Sequence, residues 1–185
     1  MANLDAPKGL QVAGPLLSCR MYKIADTYAT TALFIGDPIA IDASGDAIIH
    51  TAGSFCQGAA LGFFSSEFVP LSTPHLPIST AGVHYVLVAD DPRQLFVMQE
   101  DSAGGSLALT AIGGNGNMVA GTGSAITGLS AWEIDSSDGS DTTAADTIRF
   151  INPLRSPDNA IGTNCKWIVR INNHSGSVGI VGVGI

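Results

Sequence analysis

No stretch of this chain repeats apolar residues at the 3.6-residue spacing of a capped helix. Its apolar residues come in short runs, punctuated along the chain by glycine and proline. The 22 glycines and 9 prolines are spread from end to end, so a turn signal arrives before any run can lengthen. Between them, segments rich in Val, Ile, Leu, Phe and Tyr occupy 19–25, 32–41, 47–51, 57–64, 84–89, 94–99, 130–134, 147–154 and 166–172. Branched and aromatic side chains crowd a helical turn but fit a pleated surface, so these runs are expected to be strands. The clearest alternation is Lys166-Trp167-Ile168-Val169-Arg170-Ile171-Asn172, which puts Trp167, Val169 and Ile171 on one face. Residues 147–151 show the same habit more weakly. A short helix is expected only near Leu95 or over 143–146. Short strands at regular spacing predict an all-β fold: one β-barrel or β-sandwich of tulip or jelly-roll type.

The organisation expected is a single β domain over 19–174 with an extended arm at each end, 1–18 and 175–185. Pro7, Gly9, Gly14 and Pro15 suit an extended arm better than a packed strand. The last segment, Ser177-Val178-Gly179-Ile180-Val181-Gly182-Val183-Gly184-Ile185, has high β-propensity and needs a strand to pair with. Two readings are open for it: pairing within its own sheet, or strand addition to a neighbouring subunit. Three prolines in 70–77 predict an extended surface crossing. Residues 113–128 read as a flexible glycine-rich loop, and 135–146 as an acidic Ser/Thr loop.

Only 13% of residues are charged, about half the usual quarter, while mean hydropathy is +0.30. Such a surface fits either a compact β domain wetted by Ser, Thr and Asn or a chain partly covered by copies of itself or by a partner. The net charge is −8, and the eight bases (Lys8, Arg20, Lys23, Arg93, Arg149, Arg155, Lys166, Arg170) are scattered. Phosphate backbones are bound by clustered Lys and Arg, so neither nucleic acid nor an anionic membrane is an expected partner. No window approaches 18 continuous apolar residues, and the first residues lack the basic and apolar regions of a secretory leader. Cys19, Cys56 and Cys165 are odd in number and far apart, which predicts reduced thiols rather than a disulfide or zinc framework.

The sequence offers no catalytic, cofactor-binding or metal-binding constellation. His50, His75, His84 and His174 form none of the metal-binding histidine spacings. Gly123-Ser124 and Gly176-Ser177 lack the second glycine of a nucleophile elbow. In the glycine cluster, Val119 and Ile126 stand where a phosphate-binding loop needs a third glycine. Asp90-Asp91 precedes Pro92, and Glu100-Asp101 follows the next strand. In a hairpin these pairs would lie at opposite ends, too far apart for paired-carboxylate chemistry. The run Asp135-Ser136-Ser137-Asp138-Gly139-Ser140-Asp141 has the composition of a calcium loop but the wrong register. The chain is therefore expected not to be an enzyme.

Several blocks resemble a known family. They are Tyr85-Val86-Leu87-Val88-Ala89-Asp90-Asp91-Pro92 with Leu95-Phe96 and Gln99-Glu100-Asp101, and the later 166–174. With them stand Ala32-Leu33-Phe34-Ile35-Gly36-Asp37-Pro38 and Gly58-Ala59-Ala60-Leu61-Gly62-Phe63. Together, over about a quarter of the chain, they are similar to capsid decoration, or cement, proteins of tailed bacteriophages. The resemblance implies a small β domain on the outer face of the virion shell, made in the host cytoplasm. It implies a homotrimer that bridges major capsid protein subunits after head expansion and uses no cofactor. The alternatives are another virion component (tail, fibre or head–tail joining protein) and a carbohydrate-binding β module.

Overall fold

The computed structural model describes residues 3–25, 31–78, 82–101 and 103–177. The apolar segment 178–185 thus lies outside the described residues. The described residues form twelve strands: β1 (Gln11–Ala13), β2 (Cys19–Lys23), β3 (Pro38–Ile41), β4 (Ala47–Ile49), β5 (Gly58–Ser65), β6 (His84–Ala89), β7 (Leu95–Gln99), β8 (Asn115–Gly116), β9 (Met118–Val119), β10 (Glu133–Ile134), β11 (Ile148–Pro153) and β12 (Lys166–Ile171). Single 3-10 turns occur at Leu109–Ala111 and Ser175–Ser177, and no α-helix occurs among the described residues.

The strands form two antiparallel five-stranded sheets, ordered β1-β7-β12-β11-β8 and β2-β6-β5-β3-β4, with β9 and β10 as a separate ribbon. Strand alternation explains how the first sheet buries one face. Trp167, Val169 and Ile171 of β12, Phe96 and Met98 of β7, and Ile148 and Phe150 of β11 all point into one core. Ala59 and Ala89 of the second sheet enter the same core, where their small size lets the two sheets approach.

The second sheet curls. Beyond β2, the Ala25 N–H donates to the Ala47 carbonyl at 3.1 Å, so strands from opposite edges of the sheet meet at one corner. Inside the curl lies a second core of Ile24, Leu33, Ile39, Ala47, Ala60, Phe63, Leu76, Val86 and Val88. Strands β5 and β6 are thus apolar on both faces, with Ala59 and Ala89 to one core and Ala60 and Val88 to the other.

Several expectations are corrected here. The segment 1–18 is no free arm where it is described, from Asn3 on: Gln11–Ala13 pairs with β7, and Leu10 is buried in the first core. A close backbone crossing brings it there. The Leu10 N–H donates to the Gly36 carbonyl at 2.8 Å, and Gly9 and Gly36 have φ of 66° and 92°. A Cβ on Gly9 would lie 2.2 Å from the Gly36 oxygen, and one on Gly36 would lie 2.3 Å from the Lys8 oxygen, so only glycine fits either side.

Within 32–41 only Pro38–Ile41 is a strand. Gly36 turns the chain, and Leu33 and Ile35 make single bridges to Leu76 and Leu129. That bridge also ties down the proline-rich 70–77, whose Leu76 is buried. The glycine-rich 113–128 contains β8 and β9, with Asn115 and Met118 buried. Leu95 is in a strand, and 143–146 forms a turn rather than a helix. Strands β6 and β7 are not a hairpin; they belong to different sheets, and 90–94 carries the chain from one to the other.

Candidate functional site

The sheet-to-sheet crossing is built around Asp90, whose carboxylate is fully buried. It accepts hydrogen bonds from Ser18 Oγ (2.9 Å) and Tyr22 Oη (2.7 Å) and pairs with Arg20 Nε at 2.6 Å. Burial, together with the Asp90 carboxylate, pushes the Tyr22 hydroxyl up to about 12, so it remains a donor. Asp91 turns away and holds the Arg93 N–H (2.7 Å) and guanidinium, which keep its carboxyl below the usual range. Glu100 and Asp101 lie at the far end of β7, about 17 Å along a five-residue strand. The buried Glu100 accepts the Leu107 N–H at 3.0 Å, and burial raises its pKa. Although burial opposes it, hydrogen bonds from Ser136 and Ala103 hold Asp101 low. The two acidic pairs therefore do not converge.

The histidines are dispersed. His50 is buried between Ser54 Oγ (3.1 Å) and Thr147 Oγ1 (3.3 Å), and burial lowers it to about 4. His75 stacks on Phe34 with ring centroids 5.2 Å apart. His84 Nδ1 lies 3.0 Å from the Gly82 carbonyl. His174, also buried, accepts the Gly176 N–H at Nδ1 (2.8 Å). Among the described residues, no three His, Cys, Asp or Glu side chains are placed to hold a metal ion. Cys56 and Cys165 are buried free thiols, pushed by burial up to about 12 and 11, while the free Cys19 is exposed on β2.

The acidic loop is organised by Asn117. Its side-chain amide donates to Asp138 and Asp146 at 3.1 Å each, and its carbonyl accepts from Thr147 Oγ1 at 3.1 Å. Asp141 accepts the Thr143 N–H and hydroxyl and exchanges backbone hydrogen bonds with Asn115. Burial, and then the neighbouring Asp141, raise Asp146 to about 6. These carboxylates cap turns and tie 135–146 to β8.

Among the described residues, two of the recesses are roomy enough to take a ligand or side chain. A cleft of about 360 Å³ is lined by Phe34, Asp37, Ile49, Ile78, Thr122 and Trp132. Asp37, the acid of the Gly36-Asp37-Pro38 turn, accepts the Phe34 N–H at 2.8 Å and a hydrogen bond from Ser130, yet burial still lifts it to about 6. A carboxyl raised on folding favours the folded state below its unfolded pKa, and that contribution is lost as pH climbs through the folded value. Asp37→Asn should therefore gain stability relative to wild type, by up to ~3 kcal/mol, between pH 4 and pH 7. Urea unfolding of both proteins across that range measures this, and a pH-independent difference would refute it.

The larger recess is an open groove of about 640 Å³. It lies where 152–161 leave β11, beside the 3-10 turn Leu109–Ala111. Its lining is mostly apolar: Leu109, Ile112, Pro153, Leu154, Pro157 and Ile161, with Arg155 as the cation. Leu109 is 58% exposed and Ile161 46%. Sequence reasoning missed this groove, because its residues are isolated apolar positions within turns. The N-terminal segment borders it, with Asn3 Nδ2 donating to the carbonyls of Ala160 and Thr163 at 2.8 Å. Among the described residues no helix is long and apolar enough to cross a membrane. Compared with protein-family models, curated proteins and solved structures, the chain has no significant match.

Proposed function

We propose that this chain is a structural virion protein that decorates the outer face of a bacteriophage capsid and bridges its major capsid protein subunits. The observation that carries the reading is the open apolar groove around Leu109, Ile112 and Ile161. It is walled by the end of β11, the 3-10 turn at Leu109–Ala111 and the turns of 154–161, and is sized for another protein's side chains. The low charge content supports it, since the surface has few ions to desolvate on assembly. In this reading the two sheets pack as a jelly-roll-like sandwich that acts as a stiff spacer. A stable attachment buries roughly 1,200–2,000 Å², more than the groove alone, so the anchored segment around Asn3 joins the contact. Trp167 is fully buried in the first core, which leaves it no part in a carbohydrate-stacking surface.

The test is sedimentation of the purified protein with heads of the phage that encodes it. It should attach to expanded heads and not to unexpanded proheads, and Leu109→Glu combined with Ile161→Glu should weaken attachment about ten-fold or more. Equal binding to both head forms, or none to either, would overturn the proposal.

A further inference from the structure

Asp37 is the one ionisable side chain among the residues lining the cleft beside Trp132, and it is only 2% exposed. Most of the remaining wall is apolar or flat, with Phe34, Ile49, Ile78 and Gly123 joining the indole. Backbone bonds tie the two sides of the cleft together. The Ile35 N–H donates to the Gly128 carbonyl and the Ser130 N–H to the Ile35 carbonyl, each at 2.8 Å. Gly123 lies so close to the Phe34 ring that a Cβ there would fall 2.3 Å from it. Ser130 links acid and indole, because its hydroxyl accepts the Trp132 backbone N–H at 3.1 Å and hydrogen-bonds to Asp37. At about 360 Å³ the cleft has the size of a small-molecule site, and its shape is fixed before any ligand arrives.

The turn that Asp37 holds does not need a charge. Its carboxyl accepts the Phe34 N–H at 2.8 Å, and an asparagine carbonyl would accept the same bond. What the carboxylate adds is a negative charge in an apolar recess, opposed by burial and met only by hydrogen bonds from Phe34 and Ser130. Two histidines stand behind the rings and are not among the lining residues. His50, kept neutral at neutral pH by burial, lies 6.0 Å from Trp132 between ring centroids, and His75 stacks on Phe34. A destabilising charge kept where a neutral isostere would serve the turn marks a place whose counter-charge comes from outside the chain.

We propose that this cleft binds a primary ammonium carried on an apolar stem, with the ammonium on the Asp37 carboxylate and the stem against Trp132, Ile49 and Ile78. The head group follows from what Asp37 already does. Its carboxylate accepts two hydrogen bonds, so the two-pronged fork of a guanidinium would have to displace one, whereas a compact ammonium needs a single free lone pair. A quaternary ammonium has no N–H to donate. Tryptophan is also the aromatic side chain that attracts a cation most strongly. Such a group comes either from a free amine or from a lysine side chain offered by a neighbouring protein.

Binding is read from fluorescence in Trp167→Phe, which leaves Trp132 as the sole indole of a chain with two tryptophans. The probes are 2-phenylethylamine for a free amine and Nα-acetyl-lysine methylamide for a lysine side chain. At pH 7.5 at least one is expected to shift the Trp132 emission saturably at millimolar concentration or below. Binding by the capped lysine assigns the site to a protein's side chain, and binding by phenylethylamine alone assigns it to a free amine. The uncharged 2-phenylethanol should bind about ten-fold more weakly or worse, and Asp37→Asn should weaken the amine by as much. Ile78→Lys, at a position 56% exposed on the rim, supplies an ammonium from the chain itself and should also weaken binding about ten-fold. Urea unfolding checks that both variants are folded. Leu109→Glu, in the groove, should leave the affinity unchanged, so this proposal and the assembly reading fail separately. Saturable binding by neither amine, an alcohol that binds as tightly as the amine, or undiminished binding by Asp37→Asn would overturn the proposal.

Discussion

Replacing Trp167 with alanine is expected to lower the unfolding free energy by about 3–5 kcal/mol. Trp167 is the largest fully buried side chain, and its ring meets that of Phe150 edge-on with centroids 5.8 Å apart. It stands on β12, the middle strand of its sheet, with β7 on one side and β11 on the other, so neither neighbour can move in to fill the space without breaking a ladder. Its indole faces the buried Glu100 carboxyl, whose raised pKa reflects burial. Trp167→Phe keeps most of the packing and should cost distinctly less than alanine. Chemical denaturation measures both. A Trp167→Ala loss below about 1 kcal/mol would mean that this core relaxes around a large cavity, which close packing argues against.

Deleting residues 1–14 should be nearly as damaging. The deletion removes buried Leu10, worth about 2–3 kcal/mol of apolar burial, together with the β1 ladder and the 2.8 Å bond to Gly36. A total of about 3–5 kcal/mol corresponds to a fall in Tm of roughly 10 °C for a domain of this size. An unchanged Tm would show that the segment is a detachable arm, as its prolines and glycines suggest from sequence alone.

These two experiments mark how far the sequence could be read. Strand β12 was legible because Trp167, Val169 and Ile171 alternate with Ile168 and Arg170, and burial follows that alternation residue by residue. Strands β2, β5, β6, β7 and β11 were also legible, within a few residues at their ends. Strand β1 was hidden because Gln11-Val12-Ala13 has no strong β signal and becomes a strand only through β7 and the Gly9–Gly36 crossing. Strand β8, Asn115-Gly116, is a strand because its neighbours bring it to β11, with the Phe150 ring 3.0 Å from where a Gly116 Cβ would stand. Sheet membership was equally invisible. Asp90-Asp91-Pro92 reads as a turn, but whether a turn closes a hairpin or passes to another sheet depends on what Asp90 binds. Ser18, Arg20 and Tyr22, some 70 positions earlier in the chain, supply that answer. The groove and the Asp37 cleft were not legible either, since both collect residues from separate strands and turns.

The doubly apolar strands β5 and β6 give the molecule a common wall between its two cores. Ala59 and Ala89 support one side of that wall, Ala60 and Val88 the other. Opening either core bares one face of the same two strands, so the melting of the two cores is expected to be coupled. Load applied to one sheet should therefore pass through this wall into the other.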